Sequence, residues 1–182
     1  MLDEAPSLGP KGGMTATPDD LFAYLDELGI AHTTHWHPPV FTVEEGRDLK
    51  ASMPGGHTKN LFLTDKDGAI ILIAAEAHSQ LKLNRLHRLI GTRRLSFGAP
   101  DLMEEVLGVT PGSVTAFALM NDRDGRVRFL VDAALMAHDP VNFHPLTNTG
   151  TTAIARQDLE VFARATGHGF EMVDFTQLLD EA

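Results

Sequence analysis

The 182-residue sequence contains no cysteine. That absence removes disulfides, iron–sulfur clusters, thiolate zinc sites and a cysteine nucleophile together, and it accords with a reducing cytoplasm. There is also no run of about 18 apolar residues, and residues 1–13 carry Asp3 and Glu4 with neither a basic n-region nor an apolar h-region. No membrane span or export signal is expected, so the location expected is cytoplasmic. Positive charge is scarce, since 15 Lys and Arg against 25 Asp and Glu give a net charge of −10, and this counts against broad, non-specific binding of nucleic acid. The rest is ordinary: 43% hydrophobic and 22% charged residues, in a length suited to one domain, can bury a sizeable core without crosslinks.

Pro6, Gly9, Pro10, Gly12 and Gly13 make residues 1–13 poor material for a helix or strand, and a flexible extension is expected there, ahead of a domain over 14–182. Pro18 in first-turn position, Asp19 and Asp20 where the helix dipole favours anions, and Leu21, Tyr24, Leu25 and Leu28 at helical spacing predict an amphipathic helix closed by Gly29. Residues 31–36 read as a short strand ending at His37-Pro38-Pro39, and Thr42 with Glu45 offers a capping box for a second helix. Two stretches look alike, 60–68 followed by 69–74 and 117–125 followed by 126–131. Each is an apolar run, a polar turn closing on Asp-Gly and a second apolar run, and both predict β-hairpins. Helices are predicted over 81–90, 100–107 and 157–166, and strands over 151–155 and 169–173. Strands and helices interspersed without regular βαβ spacing point to a mixed α+β or α/β domain around a mixed sheet.

Several groups could carry chemistry. His35 and His37 would project from one face of a strand, a spacing that suits a metal as well as a pair of partly buried histidines, but no third ligand stands at a motif spacing. The half-loops Asp65-x-Asp67-Gly68 and Asp122-x-Asp124-Gly125 lack the remaining ligands and terminal Glu of a calcium loop. Gly55-Gly56-His57-Thr58-Lys59-Asn60 is not a phosphate loop, because Lys59 follows no glycine. It leaves a lysine at the beginning of an apolar strand, either a solvated strand end or, with glycines leaving room for a ligand, a functional group. Pro111-Gly112 is a turn whose glycine would let backbone N–H groups approach a substrate oxygen. His144, next to Pro145, Thr147, Asn148 and Thr149, could touch a ligand or cap a turn. Finally, residues 77–100 hold Lys82, Arg85, Arg88, Arg93 and Arg94 and no acid. This +5 window in a −10 chain is a solvated face or a contact for a few phosphates.

At these residues the chain resembles the YbaK/ProX family of aminoacyl-tRNA deacylases, related to the editing insertion domain of bacterial prolyl-tRNA synthetases. The matching pieces are residues 37–45, 56–63, 108–115, 121–125 with Val131-Asp132, and 142–148 with Thr151. Lys59-Asn60 and His144-Pro145-Leu146 look like the free-standing branch, ProXp-ala, that removes alanine from mischarged tRNA(Pro). The resemblance implies a single domain with a central mixed, mostly antiparallel sheet surrounded by helices. It implies hydrolysis of the ester at the tRNA 3′ end without metal or other cofactor, the substrate's ribose hydroxyl helping to activate water. By the same carry-over Lys59 positions the substrate, Gly112 and Ser113 form the backbone donor loop, and His144 lies near the aminoacyl group. Asn60 shares the pocket. Separately from the carry-over, Val40, Phe41, Thr42 and Phe62 are the residues expected to line it, and the basic window, Lys82, Arg85, Arg88, Arg93 and Arg94, is expected to include the phosphate contacts to tRNA. The partners implied are the acceptor end of tRNA(Pro) charged with alanine and a prolyl-tRNA synthetase, with no membrane and a monomeric state. Three alternatives stay open: a deacylase for another small amino acid, a non-catalytic tRNA- or synthetase-binding module of this fold, and a metallohydrolase using His35 and His37.

Overall fold

The computed structural model describes residues 15–39 and 43–179. The predicted capping box at Thr42 and the N-terminal extension lie outside them. Helix α1 (Pro18–Glu27) begins on a reciprocal cap, with Thr17 Oγ1 accepting from Asp20 N–H and Asp20 Oδ2 accepting from Thr17 N–H. Then follow β1 (His32–Trp36), α2 (Val43–Ser52), β2 (Gly56–Thr64), β3 (Ile70–Glu76), α3 (Leu83–Ile90), β4 (Ser96–Phe97) and α4 (Pro100–Leu107). The chain continues through β5 (Val127–Asp132), β6 (Val141–Phe143), β7 (Gly150–Ile154), α5 (Arg156–Ala165) and β8 (Glu171–Val173).

The strands form one mixed sheet in the order β1-β7-β6-β2-β3-β5-β8, with β4 on β2. The β1–β7, β6–β7, β2–β3 and β2–β4 ladders are antiparallel, whereas β2–β6, β3–β5 and β5–β8 are parallel. Alternation along the central strands gives two apolar faces. Phe62, Leu72, Ala74, Phe129 and Val131 share a core with Leu21 and Leu25 of α1, Met103 of α4 and Phe162 of α5. Leu63, Ile71, Ile73 and Leu130 pack with Leu86 and Ile90 of α3 and with Phe175 and Leu178.

The first predicted hairpin is β2–β3, and its turn is tied by Asp65 Oδ1, which accepts from Asp67 N–H and Ala69 N–H, both at 2.9 Å. The second is not a hairpin. Ala116–Asn121 is a 3₁₀ helix, and β5 is flanked by β3 and β8 instead. The run Ala116 to Met120 has no polar alternation and is buried throughout, so it fills the core between helices. Both edges of β5 are already laddered. The two glycines before Lys59 also serve the protein itself: a Cβ on Gly55, whose φ is +97°, would lie 2.2 Å from the Pro140 carbonyl oxygen, and one on Gly56 would lie 2.7 Å from His138 Cβ. They let the chain run tightly against the segment leading into β6.

Asp122, expected in a hairpin turn, anchors the interior. Its Oδ2 accepts from Val127 N–H at 2.9 Å and from His168 Nε2–H at 2.7 Å, while Oδ1 accepts from Arg126 N–H at 3.0 Å. Burial alone pushes this carboxyl up, but the His168 and backbone donors outweigh it and leave the pKa below the usual carboxylate range. The contribution to stability is therefore present above the ordinary carboxylate pKa and is lost as pH falls through the lower folded value. Asp122→Ala is expected to reduce the unfolding free energy by about 3 to 5 kcal/mol, the cost of leaving one partner of a buried pair alone. Exposed Asp124→Ala should stay within about 0.5 kcal/mol in the same urea titration.

Candidate active site

The site grows from the place where two parallel strands part. β2 and β6 are paired only at Gly56↔Val141 and His57↔Asn142. Two residues further along each chain stand Lys59 on β2 and His144 just past the end of β6, so each follows the last paired position of the fork. The same edge of β2 is next occupied at Leu63 and Thr64, by β4. Among the described residues, no strand is laddered to that edge between these points. An open strand edge at the carboxyl end of a parallel pair is a common place for a ligand.

Lys59 lies on the α3 face of β2, in step with Leu61 and Leu63, opposite Ala75 of β3. Its Nζ donates to the Ser79 carbonyl oxygen. The Ser79 loop is held in turn by the buried Asp132, whose Oδ2 accepts from Ser79 Oγ–H at 2.5 Å and from Glu76 N–H at 3.0 Å. A carboxylate at the end of β5 thus fixes the lysine's anchor. Val131-Asp132 belongs to the matching motif, but no spacing in the sequence gives Asp132 this task or singles out Ser79.

Asn60 lies on the opposite face, with Thr58 and Phe62. Thr58 Oγ1–H donates to the Asn142 carbonyl oxygen at 2.7 Å, so its oxygen can only accept from the neighbouring Asn60 Nδ2–H, at 3.2 Å. That choice turns Asn60 Oδ1 away from Thr58, and this oxygen is buried without a hydrogen-bond partner. Phe62, proposed from sequence as a pocket wall, is 2% exposed, with its ring against Gly98. Val40, Phe41 and Thr42 lie outside the described residues.

His144 is half-buried, and its Nδ1 lies 3.1 Å from the Gly150 carbonyl oxygen, a contact in which the ring must donate. Burial, with a smaller contribution from nearby His37, lowers its pKa below the usual histidine value. The ring is neutral at pH 7, with Nδ1 protonated and Nε2 a free acceptor. His37 has its own partners, Pro38 O at 2.9 Å and Thr151 Oγ1 at 2.8 Å. His35 stacks on it with ring centroids 6.3 Å apart, and among the described residues no group of three His or carboxylate side chains is arranged to hold a metal. Gly150, which anchors His144, is gripped between Trp36 and Pro145: a Cβ there would lie 2.9 Å from the Trp36 ring and 3.1 Å from Pro145 Cγ. Gly112 is exposed in the 3₁₀ turn Pro111–Ser113 and Ser113 is buried. A Cβ on Gly112 would meet Asn148 Nδ2 at 3.5 Å, which brings this turn to the loop carrying His144.

The basic window divides. Arg85 is half-buried and donates to the Leu178 carbonyl oxygen at 3.5 Å, and Arg93 pairs with Asp67 at 3.4 Å. Lys82, Arg88 and Arg94 are exposed.

The profile of the aminoacyl-tRNA editing domain matches residues 37–162. Prolyl-tRNA editing protein ProX of Acetoanaerobium sticklandii is 33% identical over 155 residues, 85% of this chain and 94% of that protein. Prolyl-tRNA synthetase associated domain-containing protein 1 of Xenopus laevis is 37% identical over 161 residues, 86% of this chain and 95% of that protein. Among solved structures, hypothetical protein APE2540 superposes with a TM-score of 0.65 at 19% identity, over 84% of this chain and 97% of that one. A crystal structure described as a candidate trans-editing enzyme for prolyl tRNA synthetase gives 0.65 at 17% identity, over 86% and 96%. The structural likeness establishes the fold, and the sequence match, which runs from His37 through both strands of the fork, establishes the kinship: the chain belongs to the aminoacyl-tRNA editing domain family.

Proposed function

We propose that the protein is a trans-editing hydrolase that removes the amino acid from mischarged aminoacyl-tRNA, with Ala-tRNA(Pro) as its main substrate. The observation that supports this reading is the fork between β2 and β6: an anchored lysine and a neutral histidine each follow the last paired residues of the two strands, and an unpartnered amide oxygen sits next to the lysine on the opposite face of β2. In the proposed reaction water adds to the ester carbonyl carbon, the tetrahedral oxyanion forms, and its collapse expels the ribose oxygen, which takes up a proton. Free alanine and free tRNA result. Lys59, with one N–H on Ser79, has donors left to hold the ester or its adjoining phosphate, and the backbone N–H at Gly112 is the donor assigned to the oxyanion. Asn60 Oδ1 is assigned to the substrate's α-ammonium, His144 Nε2 accepts from the aminoacyl group or its attacking water, and the substrate's vicinal hydroxyl orients that water.

Alanine is smaller than proline, so a synthetase pocket shaped for proline excludes it poorly, and a second pocket that admits only the smaller side chain corrects the error. Phe62, with Val40, Phe41 and Thr42, is assigned to that sieve. A non-catalytic tRNA- or synthetase-binding module is the competing reading, and it predicts tRNA binding with no deacylation.

Incubation of the pure protein with alanyl-tRNA(Pro) and prolyl-tRNA(Pro) should release alanine selectively, with or without EDTA. Lys59→Ala should lower kcat/KM by about 100-fold or more, the scale of losing one transition-state donor; full activity in that variant would remove Lys59 from the mechanism. Because His144 is held neutral below the usual histidine range, kcat/KM should stay level as pH drops through about 6.5 and fall only at lower pH, when protonation removes the Nε2 acceptor. The folded state prefers the neutral ring, so this group's stabilisation also fades on acidification. In His144→Gln that acid limb should vanish from the pH–rate profile. Reversing Lys82, Arg88 and Arg94 together to Glu should weaken tRNA binding and flatten the slope of log K against log salt by about 2 to 3; an unchanged slope removes these residues from the interface.

A further inference from the structure

Phe97 is 66% exposed, yet its backbone is fixed. It pairs with Leu63 of β2, and the following Gly98 N–H donates to the Phe62 carbonyl oxygen at 2.9 Å. Gly98 cannot carry a side chain in this position, because a Cβ would sit 2.4 Å from the Phe62 ring. A single exposed apolar side chain is ordinary on a protein surface. Phe97 is set apart by what surrounds it.

The Leu63↔Phe97 register places Phe97 on the face of β2 that carries Lys59. The four-residue offset between Lys59 and Leu63 corresponds to about 13 Å at roughly 3.3 Å per strand residue. Between them runs the stretch of β2 edge that, among the described residues, carries no laddered strand. On the other side of Phe97 in sequence, Arg94 and Leu95 join Arg85, His87 and Arg88 in lining a concavity of about 510 Å³. An exposed ring on a fixed backbone, two residues in sequence past the last lining residue of a basic hollow and one short span from the anchored lysine, supplies the two parts of a single-strand nucleic-acid site. Cations follow the phosphates and an aromatic face takes a base.

We infer that Phe97 is a stacking platform for a base at the single-stranded 3′ end of the RNA whose ester lies at Lys59, with adjoining phosphates in the basic hollow. This rests on the proposed deacylase reading and adds the path of the strand. Stacking on the ring needs its π face, not merely its apolar area.

The test uses the full chain and separates that face from bulk. In steady-state deacylation of alanyl-tRNA(Pro), Phe97→Ala and Phe97→Leu should both lower kcat/KM by roughly 5- to 150-fold, chiefly through KM, the range that follows from removing a base-stacking aromatic. Phe97→Trp and Phe97→Tyr should stay near wild type, and all four should keep the wild-type melting temperature. Uncharged tRNA carrying a fluorescent base analogue at the terminal or, separately, the penultimate position should be quenched at one of them by wild type and not by Phe97→Leu. Wild-type KM and quenching in Phe97→Leu would overturn the inference while leaving the deacylase reading intact. So would a Phe97→Ala defect confined to binding a prolyl-tRNA synthetase, which would make this face a protein interface. A wild-type protein that neither binds nor deacylates the tRNA overturns both readings together.

Discussion

The shortness of the β2–β6 pairing is the constraint on which the site depends. Two residues of parallel ladder are enough to fix the relative height of the strands and too few to close the edge beyond them. The pairing exists because Gly55 and Gly56 let the chain lie against Pro140 and His138 at distances no side chain would allow, and because Asn142 Nδ2–H donates to both Pro54 O and Gly56 O at 3.1 Å. Past that clasp β2 stays in the sheet through β3, while β6 turns away into the loop that carries His144. Each side chain at the fork is then held from behind: Lys59 by the Ser79 loop on Asp132, Asn60 by Thr58, and His144 by Gly150 beneath Trp36. Groups positioned by a rigid scaffold need little reorganisation when a ligand arrives.

Charge is distributed along the same lines. The net −10 describes the whole surface and hides an acid-free segment that forms α3, the turn after it and β4. Helix α3 lies on the Lys59 face of the sheet, where its Leu86 and Ile90 pack, and β4 is laddered to β2. Two of the five cations in this segment also have protein partners, Arg85 at Leu178 and Arg93 at Asp67. A mainly acidic body with a few exposed cations on one face gives weak, local attraction to phosphate and little affinity elsewhere. On the proposed function, that balance suits an enzyme that must let go of correctly charged tRNA.

Local signals in the sequence carried most of the fold and tertiary ones were silent. Pro18 in the first turn, the spacing of Leu21, Tyr24 and Leu25, and the Asp65 turn act within a few residues of themselves, and each element they predict is present. Residues 116–121 failed because an unbroken apolar run satisfies a buried 3₁₀ helix as well as a strand, and only the occupied edges of β5 decide between them. β4 is two residues long and leaves no periodicity to read. At the site, Lys59 and His144 were visible through motif resemblance, but the parallel pairing that precedes both joins segments 85 residues apart in the chain. Asp132 and Ser79 act through a loop whose course no spacing reveals. The glycines before Lys59 suggest in sequence room for a ligand and are in the fold room for residues 138–140.

The orientation of Asn60 bears on where selectivity can reside. Its Oδ1 faces away from Thr58 with no protein partner, and leaving a buried acceptor unsatisfied costs about 1 to 3 kcal/mol. A donor from the substrate would recover that, and under the proposed activity the α-ammonium of the aminoacyl group supplies one. Every aminoacyl ester has such a donor, however, and proline's secondary ammonium still carries two N–H bonds. Asn60 can therefore add affinity for aminoacyl esters over deacylated tRNA without separating alanine from proline. In the proposed reaction the backbone donor at Gly112 and the anchored Lys59 would meet atoms common to all such esters, and they are equally indifferent. On the proposed reading discrimination is left to volume alone, so it must come from apolar walls such as the one assigned to Phe62, where the two extra ring carbons of proline would meet a packed surface while the chemistry at the fork stays unchanged.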